Sequence, residues 1–184
     1  MIAGVDEVGR GPWAGPVVAA AVILTHPIPG LADSKALSGR RRQHLAALIR
    51  EQAVWGLGAA SVSEIDRLNI LQASLLAMRR AIGSLPATPD RLLVDGRDGP
   101  GLAIPTEAII GGDRLVPEIS AASVLAKVTR DRLMAKLARR GPGYGWERNA
   151  GYGTAEHRRQ LVVHGVSVHH RRSFKPIQAL LASH

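Results

Sequence analysis

A chain of 184 residues is long enough to bury about 70% of its unfolded surface around a core of its own, and none of its apolar runs approaches the roughly 20 residues of a membrane span. It contains no cysteine, which excludes a disulfide framework, a thiol nucleophile and a Cys-ligated zinc site. Lysine and arginine number 24 against 15 aspartates and glutamates, a formal charge of +9, so the expected partner is polyanionic, nucleic acid first. Aromatic content of 3% is too low for an extended base-stacking platform. The chain enters an apolar run at once, without the basic segment and small-residue cleavage pattern of a secretory leader. The expectation is a cytoplasmic protein with no membrane association, one domain over residues 1–184 and a monomer.

Residues 2–5 open as a short buried strand and lead into two adjacent carboxylates, Asp6 and Glu7. Neighbouring acids on a strand point to opposite faces, and mid-strand each would need its own partner. At a strand's end both can aim at one cation. The following Gly9-Arg10-Gly11 turn lets backbone N–H groups approach an anion. The alternative is a hairpin whose acids are solvated. Residues 17–24 form a second strand, antiparallel to the first. After a Pro-rich loop and the polar stretch 31–35, Ser38 is an N-cap for a helix over 40–52 that buries Leu45, Leu48 and Ile49. Its first turn carries Arg40, Arg41 and Arg42, the wrong sign for the helix dipole. They form either a solvated basic face or one with an external anion to meet.

A strand over 54–60 follows. The spacing Ser61-Val62-Ser63-Glu64 is a capping box opening a short helix. A second helix over 69–82 places Leu71, Leu75, Met78 and Ile82 on one face and stops at Gly83. Residues 91–94 read as a short buried strand ending at Asp95-Gly96, and 106–110 as another ending at Gly111-Gly112-Asp113. Pro117 starts a long helix to about Arg139, with Ile119, Ala122, Ala126, Leu133 and Leu137 on one face. Residues 149–153 form a flexible loop. Thr154 caps a helix to about His164, and a last short helix starts at Pro176. The order, ββ-α-β-α-α-β-β-α-α, predicts an α/β fold: a mixed β-sheet flanked by helices.

Asp6, Glu7, Asp95 and Asp113 are thus four acids at strand exits of a basic chain, where active sites of α/β sheets collect. Together they repel one another unless a cation neutralises them. Hard oxygen ligands favour magnesium or manganese. Two such ions, about 3.5–4 Å apart, clamp a phosphodiester, activate a water and stabilise the leaving oxygen. There is no Walker loop, dinucleotide fingerprint or nucleophile elbow to suggest other chemistry.

Several blocks in order resemble ribonuclease HII: residues 3–12 around Asp6-Glu7 and Gly9-Arg10-Gly11, Asp33-Ser34-Lys35, Val94-Asp95-Gly96, Gly112-Asp113, 119–123, 126–131, Gly151-Tyr152-Gly153-Thr154 and 169–174. The resemblance spans nearly the whole chain. It implies an RNase H-like fold with a helical C-terminal portion, cleavage of RNA in RNA–DNA hybrids, and incision at single ribonucleotides in duplex DNA, leaving 3′-hydroxyl and 5′-phosphate ends. It implies that Asp6, Glu7, Asp95 and Asp113 are the metal-binding catalytic acids, with Mn²⁺ or Mg²⁺ as cofactor. It implies that the backbone of Gly9, Arg10 and Gly11 senses the ribose 2′-OH, the group that distinguishes RNA from DNA, and that Tyr152 packs on the sugar at the RNA–DNA junction. Lys35 is read as a phosphate contact. The family often has lysine where this chain has Gly111 and Ala36. Related type HIII enzymes carry an extra N-terminal domain, and Asp6 stands too near the start to expect one here.

Among the other motif residues, Ser120 and Ser123 are read as small packing residues of a helix. Lys127, Arg130 and Asp131 are either a local salt-bridge set on a solvated face or phosphate contacts. His169 and His170 are read as surface or nucleic-acid contacts, and Trp13, Trp55 and Trp146 as packing. Two further classes stay open: a hybrid-binding protein without activity, which the complete acid set argues against, and a structure-selective DNA nuclease, which the Gly-Arg-Gly turn argues against.

Overall fold

Two apolar runs joined through a glycine-rich turn seed the sheet. β1 (Ile2–Val8) and β2 (Val17–Leu24) pair antiparallel, with Asp6 opposite Ala20 and Glu7 opposite Ala19. β3 (Ala53–Ala60) adds antiparallel to β2. On the other side of β1, β4 (Arg91–Asp95) and β5 (Thr106–Ile109) add parallel, giving the order β3-β2-β1-β4-β5. The computed structural model describes residues 1–31, 37–141 and 143–182.

Helices cover both faces. α1 (Gly39–Gln52) and α5 (Pro117–Ala138) lie on one, where Leu45, Ile49, Ala122 and Leu125 meet Ala20 and Val22. α2 (Val62–Leu68) and α3 (Ile70–Gly83) cover the other, where Ile65, Ala77 and Met78 meet Val5, Ala19, Ala21 and Val94. β2 is therefore buried on both faces, which explains its unbroken run of small apolar residues. Gly4 lets α5 come hard against β1: a methyl group there would stand 2.1 Å from the Glu118 carbonyl carbon. The caps read from the sequence form, with Ser38 accepting from the Arg41 N–H, the Ser61/Glu64 box closed both ways, and Thr154 accepting from the His157 N–H.

Three expectations are corrected. β5 stops at Ile109, and Asp113 sits on a helical turn, α4 (Gly112–Leu115), not at a strand end. On α5, Leu133 is exposed and Met134 is buried. The helix has outrun the sheet by then, so its buried face turns toward Ala14, Tyr144 and Trp146. The loop expected over 149–153 starts one residue later, because a helical turn, α6 (Trp146–Asn149), takes in its first residue, and it is tied by the Asn149 side chain, which donates to the Tyr144 carbonyl and accepts from the Gly151 N–H. α7 (Ala155–His164) and α8 (Lys175–Ala182) complete the helical C-terminal portion around Leu161 and Ile177. No helix among the described residues is long and apolar enough to cross a membrane.

Candidate active site

Because β1, β4 and β5 run parallel, their carboxyl ends open on one edge of the sheet. Asp6 and Glu7 come from β1, Asp95 is the last residue of β4, and Asp113 follows β5 on α4. All four line one cavity of about 310 Å³, together with Arg42, Ser123 and Lys127. Asp6 and Asp113 are buried.

Charge is poorly balanced there. Burial pushes the Asp6 carboxyl well above its ordinary value, and the neighbouring charges of Glu7 and Asp95 push the same way. Hydrogen bonds from Ser123 and from the Glu7 N–H, 2.7 Å from Asp6 Oδ1, oppose this without cancelling it. Glu7 is raised by burial too, and Arg10 partly offsets that. The Asp95 Oδ1 oxygen is buried with no hydrogen-bond partner. No three His, Cys, Asp or Glu side chains among the described residues are already gathered as an ion cage. Even so, an all-carboxylate donor set with raised acids and an orphaned oxygen fits a hard divalent cation, which would satisfy that oxygen and favour the ionised forms.

The sequence did not foresee every contributor. Ser123, read only as packing, faces Asp6, whereas Ser120 is buried and donates to the Leu31 carbonyl. Arg42 alone of the three arginines opening α1 lines the acid cavity, and its guanidinium donates to the Leu37 carbonyl at 3.0 Å. Lys127 reaches the same cavity and pairs with Asp131 at 2.8 Å.

Beside the acids, two buried arginines hold the segment from Gly9 to Pro16 that contains the Gly9-Arg10-Gly11 turn. The Arg171 guanidinium donates to the carbonyls of Gly9 (2.6 Å), Arg10 (2.9 Å) and Gly15 (2.9 and 3.0 Å). The Arg130 guanidinium donates to those of Pro16, Ala14 and Ala150. Both side chains are fully buried. This overturns the solvated-face and phosphate-contact readings of Arg130, whose donors are taken up by carbonyls that the loop backbone would otherwise leave unsatisfied. Burial, then the Arg130 charge, pulls Arg171 down to about 9, so it stays charged at neutral pH. The described peptides are all trans, and a trans peptide sets its N–H opposite its C=O. With the Gly9 and Arg10 carbonyls turned toward Arg171, the N–H groups of Arg10 and Gly11 turn away from it. Gly9 makes the turn possible, with φ +98° and the Arg130 Nε 2.1 Å from where a Cβ would sit.

Tyr152 stands against this turn. Its side chain is 45% exposed, and a methyl group on Gly11 would be 3.3 Å from its Cε1. The Trp13 N–H donates to the Gly151 carbonyl at 2.8 Å, tying the two segments together. Of the predicted site residues, Asp6, Glu7, Asp95 and Asp113 are gathered in the cavity, with Gly9, Arg10, Gly11 and Tyr152 beside it. Arg10 links the two groups, its guanidinium 3.4 Å from Glu7 Oε1. Lys35 lies outside the described residues, as do Asp33 and Ser34. His170, expected at the surface, is buried against His157 because its ring hydrogen-bonds inside the C-terminal cluster. Trp146 packs in the core, and Trp13 packs over Gly153.

The family model for ribonuclease HII matches residues 3–177. The chain belongs to the ribonuclease HII family. Ribonuclease HII from Nitrosospira multiformis is 57% identical over 185 residues, covering 99% of this chain and 93% of that protein. The crystal structure of ribonuclease H2 from Pyrococcus horikoshii OT3 superposes with a TM-score of 0.82 at 25% identity, covering 99% and 97% of the two chains. Bst-RNase HIII, solved in complex with Mn²⁺, shares the fold, with a TM-score of 0.78 at 19% identity over 99% of this chain and 69% of that one. As a ribonuclease HII family member the chain is a nuclease, a hydrolase of the ribonuclease H type acting on nucleic acid.

Proposed function

We propose that the chain is a metal-dependent endoribonuclease that hydrolyses the RNA strand of RNA–DNA hybrids and incises duplex DNA at single embedded ribonucleotides, leaving 3′-hydroxyl and 5′-phosphate ends. The observation that carries this reading is the convergence of Asp6, Glu7, Asp95 and Asp113 on one cavity directly beside a turn with outward N–H groups. Asp6, Glu7, Asp95 and Asp113 hold the divalent ions in this reading, and the Mn²⁺ in the Bst-RNase HIII complex supports manganese or magnesium. Bound there, two such ions supply the Lewis acidity that activates a water and neutralises the leaving oxygen.

The chain's own residues do the rest. The Arg10 and Gly11 N–H groups bind the ribose 2′-OH, a contact no deoxyribose offers. Tyr152, seated against Gly11, packs on the sugar at the junction. Arg42 and Lys127, on the rim of the acid cavity, receive the phosphate backbone, and Lys35 adds a further phosphate contact. Ser123 keeps Asp6 oriented through its hydrogen bond. The matched span, residues 3–177, supports reading the chain as one catalytic domain.

The test is cleavage of a labelled DNA duplex containing one ribonucleotide, with manganese, magnesium or a chelator. The expected result is metal-dependent incision on the 5′ side of the ribonucleotide, abolished by Asp6→Asn or Asp95→Asn. Cleavage of long hybrids alone would keep the acids in place and remove the roles given to Gly9–Gly11 and Tyr152. Binding without cleavage under either metal would overturn the reading as an enzyme of this specificity.

A further inference from the structure

A hydrogen-bond chain that the cleavage chemistry does not use ends on Tyr152. The Tyr152 N–H donates to the Asn149 carbonyl at 2.9 Å. The Tyr152 carbonyl accepts from the Thr154 N–H at 2.8 Å and lies 2.9 Å from His157 Nδ1. His157 is fully buried. Its Nε2 meets Trp146 Nε1 at 3.2 Å and His170 Nε2 at 3.0 Å. His170, also buried, accepts at Nδ1 from the Ser167 N–H at 3.0 Å, with the Ser167 hydroxyl 2.8 Å away.

For neutral rings, the two donors that can only donate fix the tautomers. An indole N–H and a backbone N–H only donate. His157 Nε2 faces the first and His170 Nδ1 faces the second, so both nitrogens are acceptors. Each neutral ring then carries its proton on the other nitrogen. His170 Nε2–H shares the single lone pair of His157 Nε2 with the Trp146 N–H, and His157 Nδ1–H donates to the Tyr152 carbonyl. The chain runs one way, from Ser167 through His170 and His157 to Tyr152, and each bond polarises the next. It leaves the Tyr152 backbone held at both its N–H and its C=O, while the exposed ring lies against Gly11.

We propose that His157 and His170 are positioning residues that set the Tyr152 ring over the Gly-Arg-Gly turn and so determine the preference for a ribonucleotide–DNA junction over a uniform hybrid. This rests on the junction role given to Tyr152 above. Neither ring touches substrate; both act through the Tyr152 backbone. A loosened ring misplaces the sugar at the junction, and a misplacement of about 1 Å is enough to slow a reaction roughly a hundredfold. A uniform hybrid offers no such junction and suffers less.

Two substitutions at one position separate this role from simple core packing. Asn places its amide nitrogen near the His Nδ1 position, so His157→Asn keeps the bond to Tyr152 and loses the link to His170 and Trp146. Gln reaches the Nε2 position, so His157→Gln keeps that link and loses the bond to Tyr152. The measurement is kcat/KM on a DNA duplex with one ribonucleotide and on a uniform RNA–DNA hybrid. His157→Gln is expected to lower the junction-to-hybrid ratio roughly tenfold or more, while His157→Asn retains most of it. Equal ratios in the two variants overturn the proposal, because a packing role would affect both alike. Wild type and Tyr152→Ala are run alongside. If Tyr152→Ala leaves the ratio unchanged, the reading of Tyr152 falls and takes this proposal with it; if Tyr152→Ala lowers the ratio and His157→Gln does not, the proposal alone falls. A measurement on the unaltered protein stands whether or not the variants fold. In a long-range ¹⁵N–¹H spectrum at pH 7, His157 should carry its proton on Nδ1 and His170 on Nε2. Either ring in the opposite tautomer, or doubly protonated, breaks the chain and overturns the proposal.

Discussion

The ring of Tyr152 rests against Gly11, with Cε1 3.3 Å from where a Gly11 methyl group would stand, while Gly9, two residues earlier, has no such room, its Cβ position lying 2.1 Å from Arg130 Nε. The two glycines of one turn therefore answer substitution differently.

Gly9→Ala forces a side chain into φ +98° and into the Arg130 guanidinium, which is held by three carbonyls. Strain of this kind costs about 1–3 kcal/mol, so the variant is predicted to unfold at lower urea and to lose cleavage. Gly11→Ala asks only that the exposed Tyr152 ring give way by a few tenths of an ångström. Its unfolding free energy is predicted to stay within about 1 kcal/mol of wild type, while cleavage at a single ribonucleotide falls. Urea unfolding and cleavage of the two variants check both halves. Full junction cleavage by Gly11→Ala would remove Tyr152 from substrate contact.

Asp6 links metal binding to stability. Its folded-state pKa is raised by burial and by Glu7, so ionising it is harder in the folded chain than in the unfolded one. At pH values above the raised pKa the ionised carboxylate therefore destabilises the fold, and that effect disappears as pH falls toward the ordinary value of 3.8. Asp6→Asn is predicted to raise the melting temperature at pH 7 in chelator, with the gain shrinking as the solution is acidified. Manganese should raise the melting temperature of wild type, by about 2.7 kcal/mol of stability at a hundred times its Kd, and raise that of Asp6→Asn less. A variant melting below wild type in chelator would show that the carboxylate is not strained by its surroundings.

The parts of this site that alternate with apolar strands were legible in the sequence. Asp6, Glu7 and Asp95 announce themselves because a carboxylate ending a buried run has few other reasons to be there, and the unbroken apolar run of β2 and the helical spacing of α1 and α3 are plain in the sequence. Asp113 was found for a partly wrong reason, as a strand exit, since Gly111-Gly112 breaks a strand and opens a helical turn equally well. The support beneath the site was not legible. In a chain of 24 basic residues nothing local marks Arg130 and Arg171 as buried, because their partners are carbonyls of segments far away in sequence. His157 gave no signal at all. It lies inside a helix otherwise polar around it, and its partners at Trp146, Tyr152 and His170 meet only after the tail has folded back.

The same histidines give the fold an acid limit. Burial, then the nearby His157 charge, brings His170 down to about 4 from its ordinary 6.5, and burial lowers His157 as well. Between those values the unfolded chain binds protons that the folded chain refuses. Stability from this source is complete above about pH 6.5 and is lost as pH falls through 4. For His170 the loss is about 3 kcal/mol. Asp6 and Glu7 oppose it, since their raised carboxyls take up protons in the folded state first. Comparing wild type with His170→Gln removes that background. Any stability advantage of wild type should narrow by about 3 kcal/mol between pH 6.5 and 4 in urea unfolding. A pH-independent gap would mean that His170 titrates normally.

Arg171 offers the strictest test of how the turn is held. Its guanidinium is fully buried and supplies the hydrogen bonds that the Gly9, Arg10 and Gly15 carbonyls receive from side chains. Arg171→Met fills much of the same volume and donates nothing, leaving three carbonyls, those of Gly9 and Gly15 on buried residues, to find water or move. At about 1–3 kcal/mol for each unsatisfied group, with partial relaxation, the predicted loss is roughly 3–5 kcal/mol. Arg171→Lys keeps the charge but replaces a planar five-donor fork with a single ammonium, which cannot serve all three carbonyls in their present positions, so its loss should be intermediate. Activity is predicted to fall further than stability does. At a temperature where both variants remain folded, the Arg10 and Gly11 peptides are no longer held with their carbonyls inward, and their N–H groups no longer share one outward direction. Urea unfolding at neutral pH and junction cleavage below the melting temperature separate the two effects. If Arg171→Met unfolds within about 1 kcal/mol of wild type and cuts normally, the turn keeps its shape without the guanidinium, and the orientation of its N–H groups has another cause.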